Sequence, residues 1–425
     1  MNVADSAVSD PVDPDARDSG AGDRMIVDLL DPELYRRDPH DVWEWMRHHE
    51  PVYRDERNGL WGVTRHADLM DVERRSSVFL SGQGYRALWS PEEINMIAQD
   101  DPRHRQQRML VQGSFTKKSV EARRQEVIDI VTSTLDGALD GLGSGAVGEI
   151  ELVETVAGQI PARLTANLLG YPEERWRDLK SWSERLMRTD MRERDGKIFR
   201  EFIAANEEFV EALGEVAQAK MADPGDDLIS TWLHAQIDGE PLPPEAIAHE
   251  VGLFISGGAE TTRTAISHGL RAFVDHPDQW DQLRHAIESD DRALVDSAVE
   301  EILRWSTPVL HMRRTTSRPT ELAGTTIAAG EKVVMFYNSG NRDERVFENP
   351  YDFDITRDNS AQIGFGGPGP HFCLGAHLAR RQINVLFREL LTQLPDIAVV
   401  GEPDYLRSNF INGIKHLNVE FTPVG

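Results

Sequence analysis

The chain is poor in sulfur chemistry and in basic charge. Of its 425 residues only Cys373 is a cysteine, so no intrachain disulfide can form. Lys and Arg number 46 against 72 Asp and Glu, and the formal net charge of −26 argues against nucleic acid or an anionic membrane surface as a partner. No run approaches the roughly 18 apolar residues of a membrane-spanning helix, and the first residues lack the basic-then-apolar pattern of a secretory signal. Together these absences predict a cytoplasmic protein with no membrane partner. Internal repeats are also missing, and no proline- and glycine-rich linker interrupts the chain after its first two dozen residues. The expectation is therefore one domain over residues 25–425. Ahead of it, residues 1–24 form an acidic tail rich in Asp, Ser, Ala, Pro and Gly without apolar periodicity, which reads as disordered.

The lone cysteine lies in Phe365-Gly366-Gly367-Pro368-Gly369-Pro370-His371-Phe372-Cys373-Leu374-Gly375. Glycines permit tight turns and close approach to the backbone. A helix starting near Leu374 would aim its positive end at the sulfur and lower the thiol pKa. Gly375 leaves space for a flat cofactor. Other readings of the loop exist. The cysteine could be buried and inert. Gly364, Gly366 and Gly369 fit GxGxxG, yet Pro368 and Pro370 remove two N–H donors that a pyrophosphate would need, and too little chain follows for a dinucleotide unit. His371, Cys373 and His377 could contact zinc, but no further cysteine exists to complete a four-ligand site. Ligation of haem iron by a thiolate accounts for more of the loop than any of these.

Two further segments carry their own signals. Glu301-Ile302-Leu303-Arg304 places an acid and an arginine on one helix face. Around Gly257-Gly258-Ala259-Glu260-Thr261-Thr262, apolar residues at Ile247, Val251, Phe254, Ile255, Ile266 and Leu270 keep helical spacing and predict a long buried helix. Glycines and an acid inside such a helix break local rules. They mark either a close helix crossing or a functional site. The threonines can bond back to a carbonyl one turn earlier.

The cysteine loop, the ExxR pair and the glycine-acid-threonine helix together resemble the cytochrome P-450 haem-thiolate monooxygenases. That resemblance implies a mainly α fold with a small β region, the cytochrome P450 fold. It implies Cys373 as metal ligand of haem b (iron protoporphyrin IX), with Gly375 beside it. It gives Thr261 the role of hydrogen-bonding dioxygen and Glu260 that of relaying protons, the two catalytic residues. His104 and Arg108, at i and i+4, together with Arg314 and His371 match the family's propionate contacts, with Arg313 as the substitute if the register shifts by one. Glu301 and Arg304 would lock to Arg357 in the meander before the cysteine. A hairpin over residues 51–64, helices from Arg103 to Ala286, and strands near Lys332–Phe336 and Leu417–Phe421 fit this fold.

Gly366 stands seven residues before the cysteine, where many members have an aromatic. This form, with Arg407–Leu417, resembles a bacterial subset acting on sterols, terpenoids and methyl-branched lipids. The expected reaction is hydroxylation of a hydrophobic small molecule with O2 and electrons from a ferredoxin and its reductase. Arg103, Arg105, Arg108, Lys117, Lys118, Arg380 and Arg381 would form the docking face. Substrate contacts are expected from Gly82–Ile97 (with Tyr85, Leu88, Trp89, Ile94 and Met96), from a lid at about Trp182–Val210, and from Pro308–Met312 and Phe410–Ile414. Tailoring of a polyketide or other secondary metabolite, a peroxide-driven peroxygenase, and a haem-binding sensor or carrier without turnover are the alternatives.

Overall fold

The computed structural model describes residues 25–36, 38–87, 92–141, 147–187 and 196–422. The expected tail, Leu88 and Trp89, and residues 188–195 of the expected lid lie outside them. The described chain is mostly helical with a small β region, as expected.

One helix organises the rest. Pro244–Asp275 begins with proline in its first turn, where the missing N–H costs nothing, and runs for 32 residues through the main hydrophobic core. Its two mid-helix glycines differ in purpose. A Cβ on Gly258 would meet Thr165 Oγ1 at 2.8 Å, so this glycine permits a close crossing with the helix Gln159–Leu169. A Cβ on Gly257 would meet nothing within 4 Å, because that position opens onto a cavity. Further along, a Cβ on Gly269 would sit 2.9 Å from both Ile302 and Phe387. The central helix thereby touches the ExxR helix (Arg292–Ser306) and the helix after the cysteine (Ala376–Gln393).

The ExxR helix starts where Asp291 accepts a hydrogen bond from Leu294 N at 3.1 Å. It ends at Thr307, whose φ of 34° is held by Asn341, the side-chain amide donating to Thr307 Oγ1 at 2.9 Å. Pro308 follows and cannot continue the helix. Arg304 and Glu301 are fully buried and paired at 2.7 Å. Arg304 also donates to the carbonyls of Asn341, Pro350 and Asp352, and Arg357 Nε stands 3.6 Å from Glu301. The expected lock onto the meander is present.

Besides two two-stranded hairpins, two larger sheets accompany the helices among the described residues. The larger runs in the order Val52–Asp55, Leu60–Val63, Lys332–Phe336, His311–Thr316, Phe79–Leu80. Its hairpin is antiparallel, with Val52 opposite Val63, while Lys332 pairs in parallel with Leu60. The smaller sheet joins Ala398–Tyr405, Ile414–Phe421 and Gly148–Glu151. From Leu417 to Phe421 alternate residues of the strand Ile414–Phe421 are buried, as a half-covered strand requires. Among the described residues no helix is long and apolar enough to cross a membrane.

Candidate active site

The cysteine loop is shaped by what lies behind it. Gly366 takes a φ of 86°, which side chains rarely adopt. A Cβ on Gly369 would strike the Glu73 carbonyl at 2.5 Å. Cys373 N donates to Phe365 O at 3.1 Å and closes the loop, and Gly375 caps the helix that starts at Ala376, two residues later than expected. Burial pushes the Cys373 thiol pKa up, against the pull of the Gly375 N–H and of Arg108 and Arg380. This corrects the expectation of a lowered pKa: in the protein alone, loss of water outweighs the helix end and the two arginines.

Cys373 and Gly375 share one cavity with Gly257 and Thr261 of the central helix. His104, Arg108, Arg314 and His371 line it as well, so the four expected propionate residues do converge. The His104 and His371 rings stand 4.2 Å apart, and Arg108 donates to Phe372 O at 2.9 Å. Burial, then Arg314, His104 and Arg108, drives the His371 pKa far down. Arg313 instead donates to Gly84 O at 3.0 Å and is not among the cavity-lining residues, whereas Arg314 is.

Sequence reasoning missed Glu73. It lines the cavity, pairs with Arg314 at 3.1 Å and accepts from the Tyr337 hydroxyl. A lone acid on the helix His66–Arg74 carries no spacing signal, and only the fold brings it here.

Thr261 donates to Gly257 O at 2.7 Å, the back-bond expected of it. Glu260 is 2% exposed and is not among the cavity-lining residues. It pairs with Arg263, which reaches Glu184 at 2.7 Å; Lys180 joins Glu184 at 2.6 Å to Glu154 at 2.7 Å. Glu154 is half exposed, so ionisable groups run from Glu260 to solvent through the helix Trp176–Met187. Burial raises the Glu260 pKa against the pull of Arg263. The i, i+3 spacing of Glu260 and Arg263 was a readable signal.

The expected substrate contacts divide. Met96, Ile97, Pro308, Val309 and Met312 line the cavity. Phe410 and Ile411 do not; they pack behind Val309 and Met312 with Tyr85. The described lid residues are likewise outside the lining, which in part comes instead from Leu168, Leu169 and Phe254.

The residues present suit a flat, dianionic iron macrocycle. The positions facing the cavity at Gly375 and Gly257 are open, one thiol lies at its wall, and cationic and imidazole donors gather at one rim. No group of three or more His, Cys, Asp or Glu able to hold a metal ion occurs among the described residues, so His371, Cys373 and His377 make no zinc site there.

Comparison with known proteins agrees. The family model for cytochrome P450 matches residues 175–394. The chain is 35% identical over 414 residues to the steroid C26-monooxygenase of Rhodococcus jostii, covering 93% of this chain and 84% of that protein. It is 36% identical to the methyl-branched lipid omega-hydroxylase of Mycobacterium bovis, covering 86% and 85%. A Mycobacterium marinum cytochrome P450 solved with pseudoionone superposes with a TM-score of 0.85 at 34% identity, over 94% of this chain and 100% of that one. The chain belongs to the cytochrome P450 family and is a monooxygenase.

Proposed function

We propose that this monooxygenase hydroxylates a steroid, terpenoid or branched lipid, with haem b held by Cys373 and electrons supplied by a ferredoxin-type donor. The observation that carries the reading is the single cavity shared by Cys373, the Gly257–Thr261 turn and the cationic rim. Apolar side chains such as Ile97, Val309 and Phe254 make the rest of its wall suited to a hydrophobic substrate. The steroid and branched-lipid names of the relatives support the same class.

Haem, when bound, supplies dioxygen activation, and a thiolate ligand favours O–O cleavage. The chain's own residues do the rest. His104, Arg108, Arg314 and His371 hold the propionates, and Gly375 gives the macrocycle room. The Gly257 carbonyl fixes the Thr261 hydroxyl at the cavity. Glu260 relays protons beneath the helix surface, with Arg263, Glu184, Lys180 and Glu154 as its connection to water. Thr261→Ala is expected to retain haem and NADH consumption while product formation falls by roughly 10²-fold. Coupled turnover in that variant would remove the role.

The basic residues of the proposed docking face differ in their partners. Arg380 pairs with Glu300 and Arg381 with Glu121, while Arg105, Lys117 and Lys118 remain exposed. An acidic ferredoxin meeting these residues would reduce the protein more slowly as salt rises. The residues 25–425 are taken to act as one cytoplasmic domain.

The decisive experiment is an optical titration of the ferric protein with steroids, diterpenoids, branched fatty acids and macrolides. A low-to-high-spin Soret shift with a polycyclic or branched lipid is expected. A shift with macrolides alone would reassign the substrate class to secondary metabolites. Absence of haem absorbance after haem supplementation would overturn the reading of Cys373.

A further inference from the structure

Arg86 is 6% exposed, yet its Nε and Nη1 are buried without a hydrogen-bond partner among the described residues. No carboxylate lies within ion-pair distance of it there. Its guanidinium instead sits over two rings, 5.4 Å from the centroid of Tyr85 and 5.3 Å from that of Phe410. Glu93, the acid that acts on its charge, is already engaged: it accepts from the Tyr85 hydroxyl at 3.0 Å and from the Asn95 amide at 2.6 Å. Burial works against the charge, but Tyr85 and Glu93 more than offset it, so the guanidinium stays protonated.

The position is not an accident of a loose side chain. Ala87 N donates to His311 Nε2 at 3.1 Å, and Arg313 N donates to Tyr85 O at 2.7 Å. Arg313 also grips the Gly84 carbonyl through its side chain. The segment carrying Arg86 is thus pinned along the strand His311–Thr316.

The place is equally informative. Tyr85, Phe410 and Ile411 form an apolar cluster, and the residues packed against it include Ile97, Val309 and Met312. Those three also line the cavity that holds Cys373. Arg86 therefore stands one apolar layer beyond the reaction cavity. Two buried guanidinium nitrogens without an acceptor are expensive to keep. Its planar fork matches a carboxylate, which would supply two charge-assisted hydrogen bonds.

We propose that Arg86 is the recognition site for the carboxylate of an elongated lipid acid whose opposite, apolar end reaches the cavity at Cys373. The site rests on the substrate reading above and sharpens it: among hydrophobic substrates it selects those bearing an acid at the end remote from the oxidised carbon.

The test compares a long methyl-branched fatty acid with its methyl ester and its primary alcohol, by spectral titration of the haem-loaded enzyme and by calorimetry. The wild type is expected to bind the acid at least about tenfold more tightly than either neutral form, the range of a charge-assisted hydrogen bond. In Arg86→Met the three ligands should bind within about twofold of one another, and Arg86→Lys should recover part of the preference. The wild-type comparison needs no variant, so a misfolded Arg86→Met leaves the proposal open to refutation. Equal affinity for acid and ester, with a normal spin shift for both, would overturn this inference alone. No shift with any lipid would overturn it together with the proposed function. Retained preference in a folded Arg86→Met would assign the carboxylate to another residue.

Discussion

Arg304 and Arg86 are both withdrawn from water, and they could hardly be treated more differently. Arg304 spends its donors on both oxygens of Glu301 and on three backbone carbonyls, with Glu301 in turn accepting from Asp354 N at 2.9 Å. Arg86 rests on two aromatic faces, and its Nε and Nη1 are left unbonded. A buried charge whose every donor is used is a structural joint, and removing it strands its partners. A buried charge with idle donors adds little to the fold, so its retention points to something that arrives later. Between the two lies Glu250, fully buried, with Oε1 accepting from Met96 N at 2.9 Å and Oε2 unpartnered.

The contrast can be pressed hardest at Arg304. Arg304→Met should lower unfolding free energy by about 3–5 kcal/mol by stranding Glu301 and the meander carbonyls, read by urea denaturation, and should impair haem retention. A loss below about 1 kcal/mol would mean that such a joint is dispensable.

Glu250 gives the intermediate case and a pH signature. Burial raises its pKa from 4.5 to about 8, so the folded state favours the neutral acid. Stability from this group is fully present below the unfolded pKa and is lost as pH rises from about 4.5 to about 8. Glu250→Gln keeps the acceptor for Met96 N and cannot ionise. Its stability relative to wild type should therefore grow between pH 5 and pH 8 by a few kcal/mol. Parallel pH profiles for the two proteins would show that Glu250 does not bear this burden.

The smallest change is expected at Arg86. Arg86→Met should leave unfolding free energy unchanged or raise it by about 1 kcal/mol, because relief of the burial cost of Nε and Nη1 offsets the lost contacts with Tyr85 and Glu93. A loss of several kcal/mol would make Arg86 a second structural joint and erase the contrast.

The parts legible in advance were those where local spacing carries fixed chemistry. The thiol in its glycine loop, Glu301 with Arg304, and the helix around Gly257–Thr261 each declare themselves within a dozen residues. The convergence of the thiol and the Gly257–Thr261 turn on one cavity follows from the fold, while Glu301 and Arg304 stay outside its lining. Glu73 and Arg86 were invisible for the opposite reason: a single charge in an unremarkable segment gains meaning only from what surrounds it. Phe410 and Ile411 were placed one layer too far forward, because an apolar side chain that lines a cavity and one that packs behind it obey the same burial rule. The sign of the Cys373 shift was also hidden, since it depends on how much water the folded loop excludes.

The larger sheet carries a consequence in time. Residues 60–63 find their parallel partner only in residues 332–335, and the edge strand at Phe79 waits for Thr316. During synthesis the N-terminal hairpin emerges early and stands with an open edge until most of the polypeptide has followed. Pairings this distant in sequence slow folding and expose strand edges to aggregation. Lowered temperature, which weakens apolar association of exposed segments, should therefore raise the yield of folded protein.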